Sequence, residues 1–259
     1  MKRMGIMLWR VIRLTTVLVF ATILLPAAAY GAYYYAQGWP NSWRNADWSS
    51  SRIAPDPDKN KDAIIQVYAA RAGRWKGVFA VHTWIALKPE NARHFTRFDV
   101  VGWGLPVRRN AYPVDGLWYS NRPGVVLELR GVEAQRLIPK IKAAVARYPQ
   151  SKRGDYEVWP GPNSNSFVAW IGRQVPALGL EMPPTAVGKD YLGDGLAWGR
   201  TPSGTGWQFS WGGYLGAAIG VMEGVELHVF GATVGVDPQD LGIKLPGFGL
   251  LSARSFFTG

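Results

Sequence analysis

Hydrophobic and polar positions divide the chain into an uncharged N-terminal stretch, a short polar segment and a long remainder of short apolar runs. Residues 14–43 carry no formal charge, and the first half of this stretch is apolar. A bilayer core of about 30 Å needs about 20 helical residues, because each residue adds about 1.5 Å along the axis. The pattern therefore predicts a transmembrane helix over residues 14–35, whose side chains contact the lipid bilayer.

The charges around this stretch predict its orientation. Lys2, Arg3, Arg10 and Arg13 precede it, and a cluster of tyrosine and tryptophan residues lies at its far end. Basic residues stay in the cytoplasm, and aromatic residues prefer the membrane interface. We therefore expect a single-pass protein of the bacterial inner membrane. Residues 1–40 would form the cytoplasmic basic tip and anchor, and the C-terminal domain would be periplasmic or otherwise extracytoplasmic.

Two other interpretations of the N-terminal stretch remain open. Ala27, Ala28 and Ala29 are small residues of the kind that a signal peptidase recognises, so the stretch could be a cleaved signal peptide. A buried core helix is the other interpretation. The uncharged stretch continues past the alanines and is longer than the apolar core of about 7–15 residues in a typical signal peptide, which favours the anchor.

A change of composition separates the anchor from the remaining chain. Residues 41–62 are rich in Asn, Asp, Ser, Pro and Lys, and Pro55-Asp56-Pro57-Asp58 lies near their middle. Such a composition is typical of a polar spacer. We therefore predict a spacer over residues 41–62 and an exported domain over residues 63–259.

Apolar runs in the domain predict short strands and two helices. Runs rich in β-branched and aromatic residues indicate strands, and apolar residues at a spacing of three and four indicate helices. The predicted strands cover residues 63–71, 77–87, 95–103, 125–130, 207–221 and 227–236, and the predicted helices cover residues 133–148 and 163–175. Pro139 should kink the first helix or delay its start to about Ile138. This order predicts an α+β fold with a mainly antiparallel sheet and two helices.

The run over residues 207–221 places its large apolar side chains on one parity of a strand. These residues are Trp207, Phe209, Trp211, Leu215, Ile219 and Val221. Residues on one parity of a strand share a face of the sheet. One hypothesis is that Trp207, Trp211, Phe248, Phe256 and Phe257 dock on the bilayer.

Composition excludes several kinds of chemistry. The chain of 259 residues contains no cysteine, which excludes disulfides, thiolate metal sites and a cysteine nucleophile. His82, His94 and His228 are its three histidines, and none lies at a metal-ligand spacing from another. We therefore expect neither a metal nor a cofactor.

The net charge of +11 would favour negatively charged partners. Nucleic acid is not expected as a partner, because the domain is predicted to be exported. The basic residues between positions 134 and 153 form either a solvated face or a surface that attracts anionic lipid or an envelope polymer.

His82, in the second predicted strand, is the first candidate catalytic residue. If the following hairpin places Leu87 opposite His94, then His82 faces Asp99, and a slip of two residues brings Arg97 there instead. A carboxylate beside the imidazole would fix its tautomer and raise its basicity, whereas a guanidinium would lower it.

The start of the second predicted helix is the other candidate. Small polar residues follow two prolines there, and either Asn163 or Ser164 could cap the helix. Alternatively, the Ser164 hydroxyl and the free amides could meet a substrate oxygen. Because serine is hard to deprotonate, Ser164 would need His82 within hydrogen-bond reach. The candidate catalytic residues are therefore His82, Ser164 and Asp99, and the candidate substrate-binding residues are Trp84, Arg97, Asn163 and Asn165.

Several strings of the chain resemble a bacterial family catalogued as domain of unknown function 3750. They are QVYAARA, GVFAVHTWIALKP, VVGWG, WPGPNSNSFVAWI, PPTAVGKDYL and PSGTGWQ. The resemblance extends over residues 54–249. The family has no established activity, so the resemblance implies a shared fold and little else.

A weaker resemblance is to circularly permuted papain-like proteins, a class that includes exported cell-wall peptidases and lipid acyltransferases. In that class a strand histidine is followed by a polar partner on the next strand and by Asn-Cys at a helix start. The order here is His82, then Asp99 or Arg97, then Asn163-Ser164, so Ser164 stands where the class has its cysteine. The resemblance implies that the nucleophile is exchanged for serine or that the site binds without turnover.

These observations predict a membrane-anchored cell-envelope protein of unknown activity. The favoured role is binding or structural, at the outer face of the bacterial inner membrane. The alternative is a Ser-His hydrolase or acyltransferase that acts on peptide or lipid envelope substrates.

Overall fold

The N-terminal stretch is one continuous helix in the computed structural model, which describes residues 2–40 and 42–253. Helix α1 spans Lys2–Val19, a π-helical turn spans Phe20–Leu24, and α2 spans Leu25–Gln37. Residues Ile12–Gln37 are long and apolar enough to cross a membrane, a property they share with signal sequences. Most side chains in this span are exposed, which contradicts a buried core helix.

The first sheet has five antiparallel strands. They are β1 (Ile64–Arg71), β2 (Val81–Lys88), β3 (Thr96–Val100), β4 (Val107–Arg109) and β5 (Gly124–Arg130), and their spatial order is β4-β3-β2-β1-β5. The four strands predicted in this part of the chain are confirmed with altered ends. The short strand β4 was not predicted, and a 3₁₀ turn at Arg74–Val78 replaces the first part of the second predicted strand.

Two helices cover one face of the first sheet. Helix α3 spans Gly131–Ala146 and α4 spans Ser164–Gln174. Pro139 lies inside α3, so the expected start near Ile138 is wrong. Alternate side chains of β1 and β2 form a hydrophobic core with the two helices, including Ile65, Val67, Ile85, Leu87, Leu137, Ile141, Phe167 and Ile171.

Aromatic side chains cover the opposite face of the first sheet. Tyr68, Trp84 and Ala86 point to this face and pack with Trp118, against which Trp48 is also packed. Strand β2 is therefore buried at every position, because helices lie on one side of it and aromatic rings on the other. A strand enclosed in this way does not alternate between apolar and polar residues.

Part of the segment predicted as a polar spacer is packed on the domain. The Asp115 carboxylate accepts hydrogen bonds from the Ser50 hydroxyl at 2.6 Å and from the backbone amides of Ile53 at 2.7 Å and Ala54 at 3.0 Å. Residue 50 also forms an isolated β-bridge with Gly116. These contacts fix the chain between the helix and β1 against the sheet.

The second sheet is an antiparallel meander of seven strands in sequence order. Its strands are β6 (Leu196–Arg200), β7 (Gly206–Trp211), β8 (Leu215–Gly220), β9 (Gly224–Val229), β10 (Ala232–Asp237), β11 (Gly242–Leu245) and β12 (Gly249–Ser252). The run predicted over residues 207–221 is two strands, because Gly212 and Gly213 have positive φ angles of 56° and 76° and turn the chain between them. The single strand predicted over residues 227–236 is also wrong, since β9 and β10 form a hairpin there, with positive φ angles of 50° and 77° at Phe230 and Gly231. Strands β6, β11 and β12 were not predicted. The α+β class is confirmed, with two antiparallel sheets.

The inward side of the second sheet carries buried charged residues. Glu226 forms ion pairs with Lys189 at 2.8 Å and with Lys244 at 2.9 Å. Burial by itself raises the pKa of Glu226, but Lys189, His228 and Lys244 together lower it to about 2. Each buried charge in this group is thus paired, as the high cost of an isolated buried charge requires.

Candidate functional site

A cavity of about 510 Å³ lies where the beginning of β2 meets the beginning of α4. His82 is the second residue of β2 and Ser164 is the first residue of α4, and both line the cavity. The structure therefore brings the two predicted catalytic positions to one site. The remaining wall is mainly apolar and includes the aromatic residues Trp118, Tyr119 and Trp159.

Asp99 reaches His82 although the predicted hairpin register is wrong. Leu87 lies opposite Thr96 and not His94, so the strands are displaced by two residues from the expected pairing. In this register Asp99 is a diagonal neighbour of His82, which is still within reach of its side chain. The His82 Nε2 atom lies 3.6 Å from Asp99 Oδ2, and Arg97 donates a hydrogen bond of 2.8 Å to the same oxygen. Both of the alternative partners proposed for His82 are therefore present: Asp99 lies beside the ring, and Arg97 binds Asp99.

Burial and ring stacking fix the state of the imidazole. The ring of His82 stacks on Trp118 with a centroid distance of 3.6 Å and an interplanar angle of 6°. Burial lowers the pKa of His82 below its ordinary value of 6.5, and Asp99 offsets part of this effect. Nε2 makes no hydrogen bond within the described residues and lies 3.6 Å from the Asp99 carboxylate. The negative charge of Asp99 favours the neutral tautomer with hydrogen on Nε2, which leaves the Nδ1 lone pair as an acceptor.

The carboxylate of Asp99 stays ionised beside this ring. Burial by itself raises the pKa of Asp99, but His82 and Arg97 together hold it below its ordinary value. Arg97 also donates to the Pro113 carbonyl and lies 4.0 Å from the ring centroid of Trp84. The pair of Arg97 and Asp99 is therefore a buried, nearly neutral support for His82.

The start of α4 assigns different roles to its polar residues. Asn163 is the N-cap, and its side-chain oxygen accepts from the backbone amides of Asn165 at 2.9 Å and Ser166 at 3.2 Å. The Ser166 hydroxyl completes a capping box by accepting a hydrogen bond from the backbone amide of Asn163. Within the described residues, neither the amide nor the hydroxyl of Ser164 makes a hydrogen bond, so both groups are available at the cavity.

The four residues predicted to bind substrate are engaged in the protein itself. The Asn163 side chain also donates to Val158 and Val187, and the Asn165 side chain accepts from Thr83 and donates to Val81 and Val187. Both asparagines line the cavity, but their amide groups hold α4 to neighbouring segments. Trp84 and Arg97 are fully buried and do not line the cavity.

Sequence reasoning missed the aromatic wall. Trp118, Tyr119, Trp159 and Phe230 come from loops far apart in the chain, and no periodic pattern connects them with His82. The high number of tryptophans, 13 in the chain, was the one available signal, and it does not say which of them meet. The partner that stacks on His82 is decided by the path of these loops.

The described residues contain one group of carboxylates close enough to hold a metal. Ligand atoms of Glu181, Asp237 and Asp240 lie within 4.8 Å of one another. The Lys244 ammonium lies 2.7 Å from Glu181 and 3.3 Å from Asp237. Lys244 therefore already supplies positive charge beside two of these carboxylates, which is the structural role expected for a buried lysine.

The arrangement at the cavity supplies a neutral imidazole with a free acceptor, a free serine hydroxyl, a free amide at a helix start and an apolar wall. Such a set can bind a polar group and contact an apolar one. Within the described part of the chain, no hydrogen bond joins His82 to Ser164. Catalytic hydrogen bonds are often long without substrate, so this geometry supports binding and is compatible with catalysis.

Comparison with known proteins identifies one relationship. A family model described as "Protein of unknown function (DUF3750)" matches residues 62–191. This range contains the first sheet, both helices and all seven candidate site residues, and it is narrower than the expected range of 54–249. No curated protein and no solved structure matches the chain significantly. The resemblance to papain-like proteins thus stays a prediction.

Acidification between pH 7 and pH 5 should lower the free energy of unfolding. Burial lowers the pKa of His82 and of His228, so the unfolded chain binds protons near pH 6.5 that the folded chain does not bind. Stability then rises with pH over this range. The variant His82→Gln should show a flatter dependence in denaturant titrations, because one of these groups is removed.

The matched control for this experiment is His94→Gln, since the His94 side chain is exposed. Its stability should change with pH as in the parent protein. Curves for the parent and for His82→Gln that remain parallel from pH 7 to pH 5 would contradict the neutral, buried state of His82.

Proposed function

We propose that this chain, which belongs to the DUF3750 family of proteins of unknown function, is a membrane-anchored envelope protein that binds an amphiphilic molecule. The observation that carries the proposal is the cavity of about 510 Å³ beside His82. Its volume lies in the range of about 300–1,000 Å³ that is typical of small-molecule sites.

The chemistry of the wall supports an amphiphilic ligand. Trp118, Tyr119, Trp159 and Phe230 offer a large apolar and aromatic surface, which favours an acyl chain or another flat apolar group. The Nδ1 atom of His82 and the free amide and hydroxyl of Ser164 would then meet the polar end. An acceptor and two donors at one end of an apolar cavity orient such a molecule, because burial of its polar end would otherwise leave that end unpaired.

The proposed location is the outer face of the bacterial inner membrane. The length and composition of Ile12–Gln37 support an anchor, and the basic residues before this span support a cytoplasmic N-terminus. A binding site held at this surface would have access to lipids and to lipid-linked envelope precursors.

Reporter fusions should reveal this topology. Alkaline phosphatase fused after Gly259 should be active in a bacterial host, since this enzyme needs the oxidising periplasm. Green fluorescent protein at the same position should stay dark when exported through the same route. Activity of the second reporter alone would contradict the location and leave the cavity unaffected.

A photoreactive fatty acid should label the wall of the cavity. With the full chain in nanodiscs, a diazirine-bearing fatty acid should give crosslinks to Trp118, Tyr119 and Trp159, mapped by mass spectrometry of peptides. Ala80 lines the same cavity, so Ala80→Trp should fill the space and remove these crosslinks.

The matched control is Ala143→Trp, since Ala143 is exposed on α3. This variant should keep the cavity crosslinks. Crosslinks confined to Ile12–Gln37 in the parent, or cavity crosslinks unchanged in Ala80→Trp, would overturn the binding proposal.

A Ser-His hydrolase or acyltransferase is the second candidate function. The observation that favours it is that Ser164 and His82 line one cavity, with Asp99 buried behind the ring at 3.6 Å from Nε2. In this scheme Nδ1 of His82 takes the proton of Ser164 while the serine oxygen attacks an acyl carbonyl. The Ser164 amide stabilises the oxyanion, the leaving group takes the proton from His82, and water or an acceptor alcohol then releases the acyl group.

A fluorophosphonate probe separates the two candidates. An enzyme should be labelled by the probe, Ser164→Ala should lose the label, and His82→Gln should label slower by about 10²-fold, a usual effect of losing a general base. The conservative control is Ser166→Ala, whose hydroxyl serves the capping box. An absence of labelling in folded protein, as judged by circular dichroism, would reject catalysis and leave binding as the function.

A further inference from the structure

The second sheet has an apolar outward side. We call this side the outer face and define it by Trp198, Trp207, Ile219, Leu227, Val236 and Ile243. Phe256 and Phe257, which were also expected to dock on the bilayer, lie outside the described residues. Backbone pairing aligns it across the strands, since Trp207 pairs with Ile219 and Val236 pairs with Ile243. Trp207, Ile219 and Leu227 are 55%, 64% and 57% exposed.

This distribution is the reverse of the usual one. An antiparallel sheet with one solvated side normally turns its polar residues outward and its apolar residues to the core. Here Gln208, Glu226, His228 and Lys244 are buried on the inward side. Within the described strands β6–β12, Arg200 at the end of β6 is the only charged residue that shares the outer face.

The buried charges prevent the sheet from turning over. Glu226 is held by Lys189 and Lys244 on the inward side, so exposure of the next residue, Leu227, follows from the pleat. A soluble monomer rarely leaves so continuous an apolar surface open, and such a surface marks contact with a partner or a membrane.

The position of the N-terminal helix indicates what covers the outer face of the second sheet. The π-helical turn at Phe20–Leu24, in the middle of the candidate membrane span, contacts β10 of this sheet. Further along the helix, Tyr30 packs edge-on against Phe248 with a centroid distance of 5.3 Å, next to β12. If lipid surrounds the middle of the helix, the strand beside it lies next to the same hydrocarbon. The helix and the outer face then belong to one lipid-contacting surface.

From this continuity we infer that the outer face of the second sheet lies on the bilayer that holds the helix. The inference rests on the anchor in the proposed function and does not depend on what the cavity binds. The sheet has open edges at β6 and β12, whose backbone groups require water or protein, so it covers one leaflet and does not span the membrane. Trp198, Trp207 and Trp211 suit the interfacial layer, where their apolar rings and polar N–H groups are both satisfied.

Single cysteines can test this contact in the full chain, because the natural sequence contains none. Ile219→Cys and Leu227→Cys, labelled with bimane, should lose most of their emission when the protein is reconstituted in phosphatidylethanolamine and phosphatidylglycerol vesicles that carry brominated acyl chains. The matched control is Lys142→Cys on the exposed side of α3, which should keep its emission.

A labelled Val17→Cys in the helix distinguishes failure of this inference from failure of the anchor. Quenching at Val17 without quenching at Ile219 and Leu227 would overturn the inference and leave the anchor standing. An absence of quenching at all three positions would overturn both. Labels on the outer face that are shielded from water and from bromolipid, together with dipolar coupling between labelled copies, would assign the face to a second copy of the chain.

Discussion

Buried charges must be paired, and this constraint determines which side of the second sheet faces the interior. In the first sheet Asp99 is held by Arg97, and in the second sheet Glu226 is held by Lys189 and Lys244. Arg97 and Asp99 lie on the same strand and would stay paired on either face, so in the first sheet this pair only supports His82. Lys189 lies outside the strands of the second sheet, so its pair with Glu226 fixes one parity of that sheet toward the interior. The exposure of Leu227 follows from this pairing, because reversal of the sheet would separate Glu226 from Lys189 and leave a buried charge without that partner.

The cavity and the outer face of the second sheet are compatible with one function at the membrane. His82 and the start of α4 provide polar groups at the end of an aromatic cavity, and Trp159 and Phe230 connect this cavity with the second sheet. A lipid-contacting sheet beside an apolar cavity would let an amphiphile move from the bilayer to His82 and Ser164 with little exposure of its apolar part to water. The proposed binding function and the proposed membrane contact are thus compatible, although each depends on different residues.

Much of the fold could be predicted, because local patterns indicate four of the five strands of the first sheet and the helices α3 and α4. The register of the hairpin between β2 and β3 could not be predicted. Register depends on cross-strand packing, and the loop allowed several registers that differ from one another by two residues. Asp99 nevertheless reaches His82, because a shift of two residues leaves each side chain on the same face of the sheet. The role of Ser164 was open for a similar reason: a hydroxyl at a helix start either caps the helix or stays free, and here Asn163 supplies the cap.

By itself, the sequence determined an apolar N-terminal helix, the α+β class and the shared parity of Trp207, Ile219 and their neighbours, because each follows from short-range periodicity. Tertiary structure decided which parity points outward, which tryptophan stacks on His82 and where residues 49–54 lie. These outcomes depend on contacts between segments distant in the chain, such as Lys189 with Glu226, Trp118 with His82 and Asp115 with Ile53. A local sequence pattern does not indicate the free energy of such contacts, because these contacts form only when distant segments fold together.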